Sequence, residues 1–161
     1  MGKNYNDKLY NSDDITRVIY LGDKHEYVKR YGGEYMVIVS PIEYNEVMKK
    51  VPEGKVTTIG RINKYLAKKF DADITCPLTA GMHINLVANA TVERESKGRT
   101  DNIVCFWRTL KNSGELNPKY PGGIEHQKEM LEAEGHEVFQ KGSKYFVKDY
   151  KEKIYELKLE K

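Results

Sequence analysis

Apolar positions along this chain fall at helical spacing through its middle and in short β-branched or alternating runs towards both ends. Residues 1–13 are polar and predict a loosely packed terminus. Asp13 or Asp14 can cap a helix running to Lys29, with Ile15, Val18, Ile19 and Tyr20 as its apolar patch. A Tyr31-Gly32-Gly33 turn and a short strand over 35–39 follow. Ser40-Pro41-Ile42-Glu43 has the order of a capping box, with serine to cap, proline at the first helical position and a glutamate to reach back. The helix after it buries Tyr44, Val47, Met48 and Val51 and stops at Pro52 and Gly54.

Thr57 or Thr58 caps the next helix, with Ile62, Tyr65, Leu66 and Phe70 inside and lysines outside. A connection over 71–77 leads to a third helix from Thr79 to about Val92, so the pair has the form of a helix-turn-helix. Residues 93–101 predict a charged loop, 103–106 an extended piece, and Asn112-Ser113-Gly114 a turn. An amphipathic helix over 124–134 ends at Gly135. The tail alternates around Lys141-Gly142-Ser143, which predicts a hairpin of 138–140 with 145–147 and a third strand over 154–159. The sum is an α+β chain with no internal repeat.

Composition narrows the class. The 161 residues, 39% hydrophobic and 32% charged, suit one folded domain rather than a disordered chain. No apolar run approaches the roughly 18 residues that span a bilayer, so no membrane partner is expected. The first residues lack an apolar leader, and the expected location is the cytosol. Two cysteines, Cys76 and Cys105, then read as free thiols. With His83 they show no recognised metal-ligand spacing, and neither metal nor cofactor is expected.

A net charge of +3 is unremarkable, but its distribution is not even. Lys55, Arg61, Lys64, Lys68 and Lys69 stand together with no acid between, whereas 124–137 carries Glu125, Glu129, Glu132, Glu134 and Glu137. One basic face suits phosphate; two ordinary solvated faces would look the same on charge alone. Thr79, Ala80 and Gly81 strip the front of the third helix of bulk. A minor groove requires that, and so does close helix packing. Leu78 is an apolar wedge between base pairs or an ordinary core leucine. Phe106, Trp107 and Arg108 form either a wall on which a base stacks or a packed cation–π cluster.

Four stretches carry a family resemblance. V-P-E-G-K-V-T-T-I-G (51–60) resembles the entry to the DNA-binding domain of the 6-O-alkylguanine-DNA alkyltransferases, and T-A-G-M-H-I-N (79–85) resembles their recognition helix. W-R-T-L-K-N-S-G-E-L (107–116) is similar to the segment from their active-site P-C-H-R through the N-S-x-G turn, and M-L-E-A-E-G (130–135) to their L-L-E-x-E-G close. The likeness runs in the family's order from about Pro41 to Gly135. With Arg108 on the family arginine, Phe106 falls on the acceptor cysteine and Trp107 on its activating histidine. Ile59 falls on the family tyrosine, and Leu78 on the arginine that fills the space left by a flipped base. Loss of the cysteine resembles the alkyltransferase-like proteins, which bind alkylated bases without repairing them.

The resemblance implies a winged-helix-like DNA-binding domain over 40–135, an extension over 1–39 and a hairpin extension over 136–161. It implies a monomeric, non-enzymatic binder of double-stranded DNA, with a repair protein as a further partner. Lys55, Thr57, Thr58, Arg61, Lys64, Leu78, Thr79, Ala80, Gly81, His83 and Asn85 would meet DNA. Ile59, Phe106, Trp107, Arg108, Asn112 and Ser113 would line a base pocket. Two other readings stay open. One is alkyl or acyl transfer by Cys105 or Cys76, and the other is a protein-interaction module that has lost DNA binding.

Overall fold

The computed structural model describes residues 4–13 and 15–159. In chain order the elements are α1 (Tyr5–Tyr10), β1 (Arg17–Tyr20), α2 (His25–Tyr31), β2 (Tyr35–Ile38), α3 (Pro41–Met48), β3 (Thr57–Thr58), α4 (Ile59–Lys69), β4 (Ile74–Thr75), α5 (Pro77–Ser96), β5 (Thr109–Leu110), α6 (Gly123–Ala133), β6 (Val138–Lys141) and β7 (Lys144–Val147). This is a mixed α+β chain. β1, β2 and β4 form one sheet, β3 pairs with β5 in parallel, and β6–β7 is an antiparallel hairpin.

α5 is the spine. Ala80, Ile84, Val87, Ala88 and Ala90 are buried along it, and α1, α3 and α4 pack against it. The alanines let those helices approach, while Ile84 and Val87 fill the gaps among Tyr44, Val47, Ile62 and Leu66. A second cluster of Val56, Leu110, Leu116, Leu131 and Val147 joins β3 and β5 to α6 and the hairpin. None of the helices among the described residues is long and apolar enough to cross a membrane.

Several expected elements differ. Residues 5–10 form a helix instead of a loosely packed run: α1 is capped by the Asn4 side chain, which accepts from the Asp7 amide at 2.7 Å, and Leu9 is buried. The Glu93 carboxylate accepts from the Tyr5 and Asn6 amides, satisfying N–H groups that a helix start leaves over. The helix expected over 13–29 is β1 and α2 instead; Asp14 lies outside the described residues. Val18 and Ile19 pair with Val37 and Met36, so sheet formation with β2 overrides a four-residue helical pattern.

The capping box does not form. The Ser40 amide donates to the Thr16 hydroxyl, which itself donates to Ser40 Oγ, and Glu43 pairs with Lys69 at 2.8 Å. α5 starts at Pro77 and runs to Ser96, so 93–96 is helix rather than loop, held there by Glu93 and Arg94 contacts to α1. Of the extended piece expected at 103–106, residues 103–105 take no regular structure and Phe106 opens a 3₁₀ turn, Phe106–Arg108. Ile154 forms a bridge to Val56 rather than joining the hairpin as a third strand, because Val56 lies at an open edge beside β3.

Candidate nucleic-acid interface

Proline stands at the first position of α5, where its missing N–H costs nothing, and the next residues split between interior and solvent. Ala80 (1% exposed) and His83 (4%) face inward, His83 edge-on to the Tyr44 ring, so neither side chain meets a ligand from solvent as expected. Leu78 is 76% exposed and Met82 62%. One turn apart on the same face, they leave an uncovered apolar tip, which removes the core reading of Leu78. Gly81 is exposed as well, and a Cβ there would meet nothing within 4 Å. Helix packing therefore explains Ala80 and not Gly81.

A cleft of about 550 Å³ opens beside this tip, lined by Ile59 of α4, Leu78, Gly81, Met82 and Asn85 of α5, and the loop carrying Lys111, Asn117 and Lys119. The loop is pinned. Asn117 donates to Asn85 Oδ1 at 2.9 Å and accepts from the Lys119 amide, while its own amide donates to the buried Gln127 side chain. Met82, Lys111, Asn117 and Lys119 were not singled out from the sequence. Met82 does stand four residues after Leu78 within the recognised helix, and that spacing was the available signal.

α4 begins where two strands meet. Thr57 is fully buried in β3, and Thr58 is the cap, its hydroxyl accepting from the Arg61 amide at 3.3 Å. The Gly60 amide donates to Asn112 Oδ1 at 2.8 Å, and a Cβ on residue 60 would sit 2.8 Å from that same oxygen, so any larger residue would have to push the Asn112 side chain aside. Ser113 (φ 70°) and Gly114 (φ 85°) form the left-handed turn that holds Asn112 in place. Arg61 and Lys64 stand exposed beside this junction, in a cleft of about 420 Å³ shared with Thr58, Asn112, Ser113, Tyr150 and Lys151. Lys55 is exposed on the preceding loop.

Phe106, Trp107 and Arg108 lie elsewhere in character. Phe106 is 1% exposed, with the Tyr120 ring edge-on at 5.2 Å and the His126 ring stacked at 6.0 Å, so it is core and not an open wall. Trp107 donates through Nε1 to Glu134 at 2.8 Å. Arg108 grips the same carboxylate through Nε (3.0 Å) and Nη2 (2.8 Å), and donates through Nη1 to the Val51 carbonyl. Glu134 also accepts from the Gly54 amide at 3.1 Å. Burial pushes its carboxyl up, but these donors outweigh burial and hold it below the ordinary carboxylate value. Arg108 also lies 5.8 Å from the Trp107 ring, the packed cation–π alternative. Glu134 was read only as part of an acidic face; the E-G that closes M-L-E-A-E-G was its signal.

Cys76 is buried against Leu21 and Met36. Cys105 is half-buried, and burial pushes its thiol up; the nearby Arg108 opposes this less strongly. Its thiolate is therefore scarce at neutral pH.

No family model matches the chain, and no curated protein matches it. Among solved structures it is similar to S. pombe Atl1 in complex with damaged DNA containing O6-carboxymethylguanine, at 19% identity over 71% of this chain and 93% of that one, with a TM-score of 0.48. It is similar also to S. pombe ATL in complex with DNA, at 23% identity over 70% of this chain and 90% of that one, with a TM-score of 0.46. At these levels the likeness does not say what this chain binds.

Proposed function

We propose that this chain binds double-stranded DNA through the front of α5 and the start of α4, and does no covalent chemistry on it. The carrying observation is the uncovered tip of Leu78 and Met82 beside a cleft flanked by Lys111 and Lys119. An uncovered apolar tip suits a surface that something covers, and the lysines of the neighbouring loop suit a groove walled by phosphates. In this reading α4 and α5 form the helix-turn-helix, and the β6–β7 hairpin serves as a wing. The open surface at Gly81 lets the helix backbone come close to the minor-groove floor, and Leu78 enters between base pairs. The cleft between Ile59 and Asn117 then receives a displaced or alkylated base in place of the sealed Phe106 site. A thiol disfavoured as thiolate, with phenylalanine and tryptophan where the resemblance expects cysteine and histidine, argues for sensing rather than repair.

Fluorescence anisotropy with a plain duplex and one carrying a single 6-O-methylguanine, across a salt series, tests this. The expected result is salt-sensitive binding to both, tighter to the modified duplex, with the methyl group still on the DNA afterwards. Equal affinities would remove lesion sensing and leave general DNA binding. No binding to either at low salt would overturn the reading, and methyl transfer to the protein would overturn its non-enzymatic part.

A further inference from the structure

The outer face of α4 carries Arg61, Lys64 and Lys68, all exposed and spaced i, i+3, i+7, so they share one side over about 10 Å of helix. Residues 153–159 are docked beside this face. The Val56 amide donates to the Lys153 carbonyl and the Tyr155 amide to the Val56 carbonyl, both at 2.9 Å, and Leu157 packs on the main core. That docking creates a further cleft of about 520 Å³, in which Arg61, Lys64, Tyr65 and Lys68 face residues 155–159, including Lys158. Lys151 comes to the other side of Arg61, in the cleft with Thr58, Asn112 and Ser113. Across the two linings stand five cations and one acid, Glu156. Glu156 lies 3.7 Å from Arg61, with the two side chains 70% and 46% exposed. Such a pair is screened by water and exchanges readily for another anion.

We propose that the docked C-terminal segment turns the face of α4 into a phosphate track, which takes successive phosphates of one DNA strand. Glu156 is the anion that Arg61 releases when a phosphate arrives. The inference rests on the DNA-binding reading above and extends it to a part of the chain that reading does not use. Hydroxyl and amide donors of Thr58, Asn112 and Ser113 in the same cleft suit phosphate oxygens. The track is also continuous with the α5 cleft, since Ile59 and Lys111 line that cleft while their neighbours Gly60 and Asn112 line this one. One strand can pass both.

The test is the salt dependence of plain-duplex binding by the full chain, by Lys151→Ala/Lys158→Ala and by Glu156→Gln. All three positions are exposed, so unchanged thermal melting is expected for each variant. The double variant should lower the slope of log affinity against log salt by about 1.8, which is about 0.9 for each phosphate no longer neutralised. Glu156→Gln should tighten binding a few-fold at low salt. An unchanged slope in a double variant that still binds overturns the track and leaves the α5 reading intact. Failure of the unaltered chain to bind any duplex overturns both. Equal affinity for a polyglutamate peptide would assign the face to an acidic protein instead.

Discussion

Arg108 and Arg61 lie at the ends of two ion pairs that differ in almost every respect. The Arg108–Glu134 pair is 2.8 Å long with side chains 13% and 6% exposed, and the carboxylate takes further hydrogen bonds from Trp107 and Gly54. The Arg61–Glu156 pair is 3.7 Å long and mostly in water. The first knots residues 51–54, the 3₁₀ turn and the end of α6 together. The second is a loose surface contact screened by water. Charged residues in one small protein thus divide into those that hold the fold and those left in water, and burial makes the division.

Breaking the knot should have the largest effect. Glu134→Ala leaves Arg108 buried without its partner and is expected to cost about 3–5 kcal/mol, read as the shift in urea midpoint. A loss under about 1 kcal/mol would show that the knot is no more than a surface pair.

Acid should loosen the same region in two stages. Burial holds His136 below its ordinary 6.5, so the native state resists its protonation and its share of stability falls as pH drops from 6.5 through the folded value. Glu134 is held below its ordinary 4.5, so its share is complete above 4.5 and is lost as pH falls through the lower folded value. Urea midpoints should therefore show the gap between the parent and Glu134→Gln at full size near neutrality and shrinking below pH 4.5. A gap that stayed constant into strong acid would contradict this assignment.

The open front should give the reverse pattern. Leu78→Ala removes a side chain that touches little in the free protein, so stability should move by less than about 0.5 kcal/mol. If the wedge is buried in DNA, duplex affinity should drop about tenfold or more, since burying a leucine is worth about 1.5–3 kcal/mol and each step of about 1.4 kcal/mol is tenfold. A destabilised variant with unchanged affinity would exchange the roles of the two regions. Smallest of all is Cys105→Ser, for which duplex affinity should remain within about twofold, by anisotropy, if no thiol chemistry supports binding.

Much of the helical frame was legible because its signals are local. Pro41, Thr58 and Gly135 mark helix ends through constraints acting within a few residues, and the Gly142-Ser143 turn with its alternating flanks gave the hairpin. The failures have one cause. Val18 and Ile19 became strand because β2 offered a partner, Ser40 lost its cap to Thr16, and residues 93–96 became helix because α1 lay there to receive Glu93 and Arg94. Each partner stands far away in sequence, beyond the reach of any local pattern.

The site divides along the same line. The sequence by itself determined which residues carry charge, which helix starts lack bulk, and that phenylalanine and tryptophan stand where the resemblance expects a nucleophile and its base. Tertiary structure decided what those residues face. It placed Phe106 and His83 inside, bound Arg108 to Glu134, and left Leu78, Met82 and the α4 cations in water. Exposure belongs to the assembled chain, because a side chain is buried by neighbours that folding brings to it from far along the sequence.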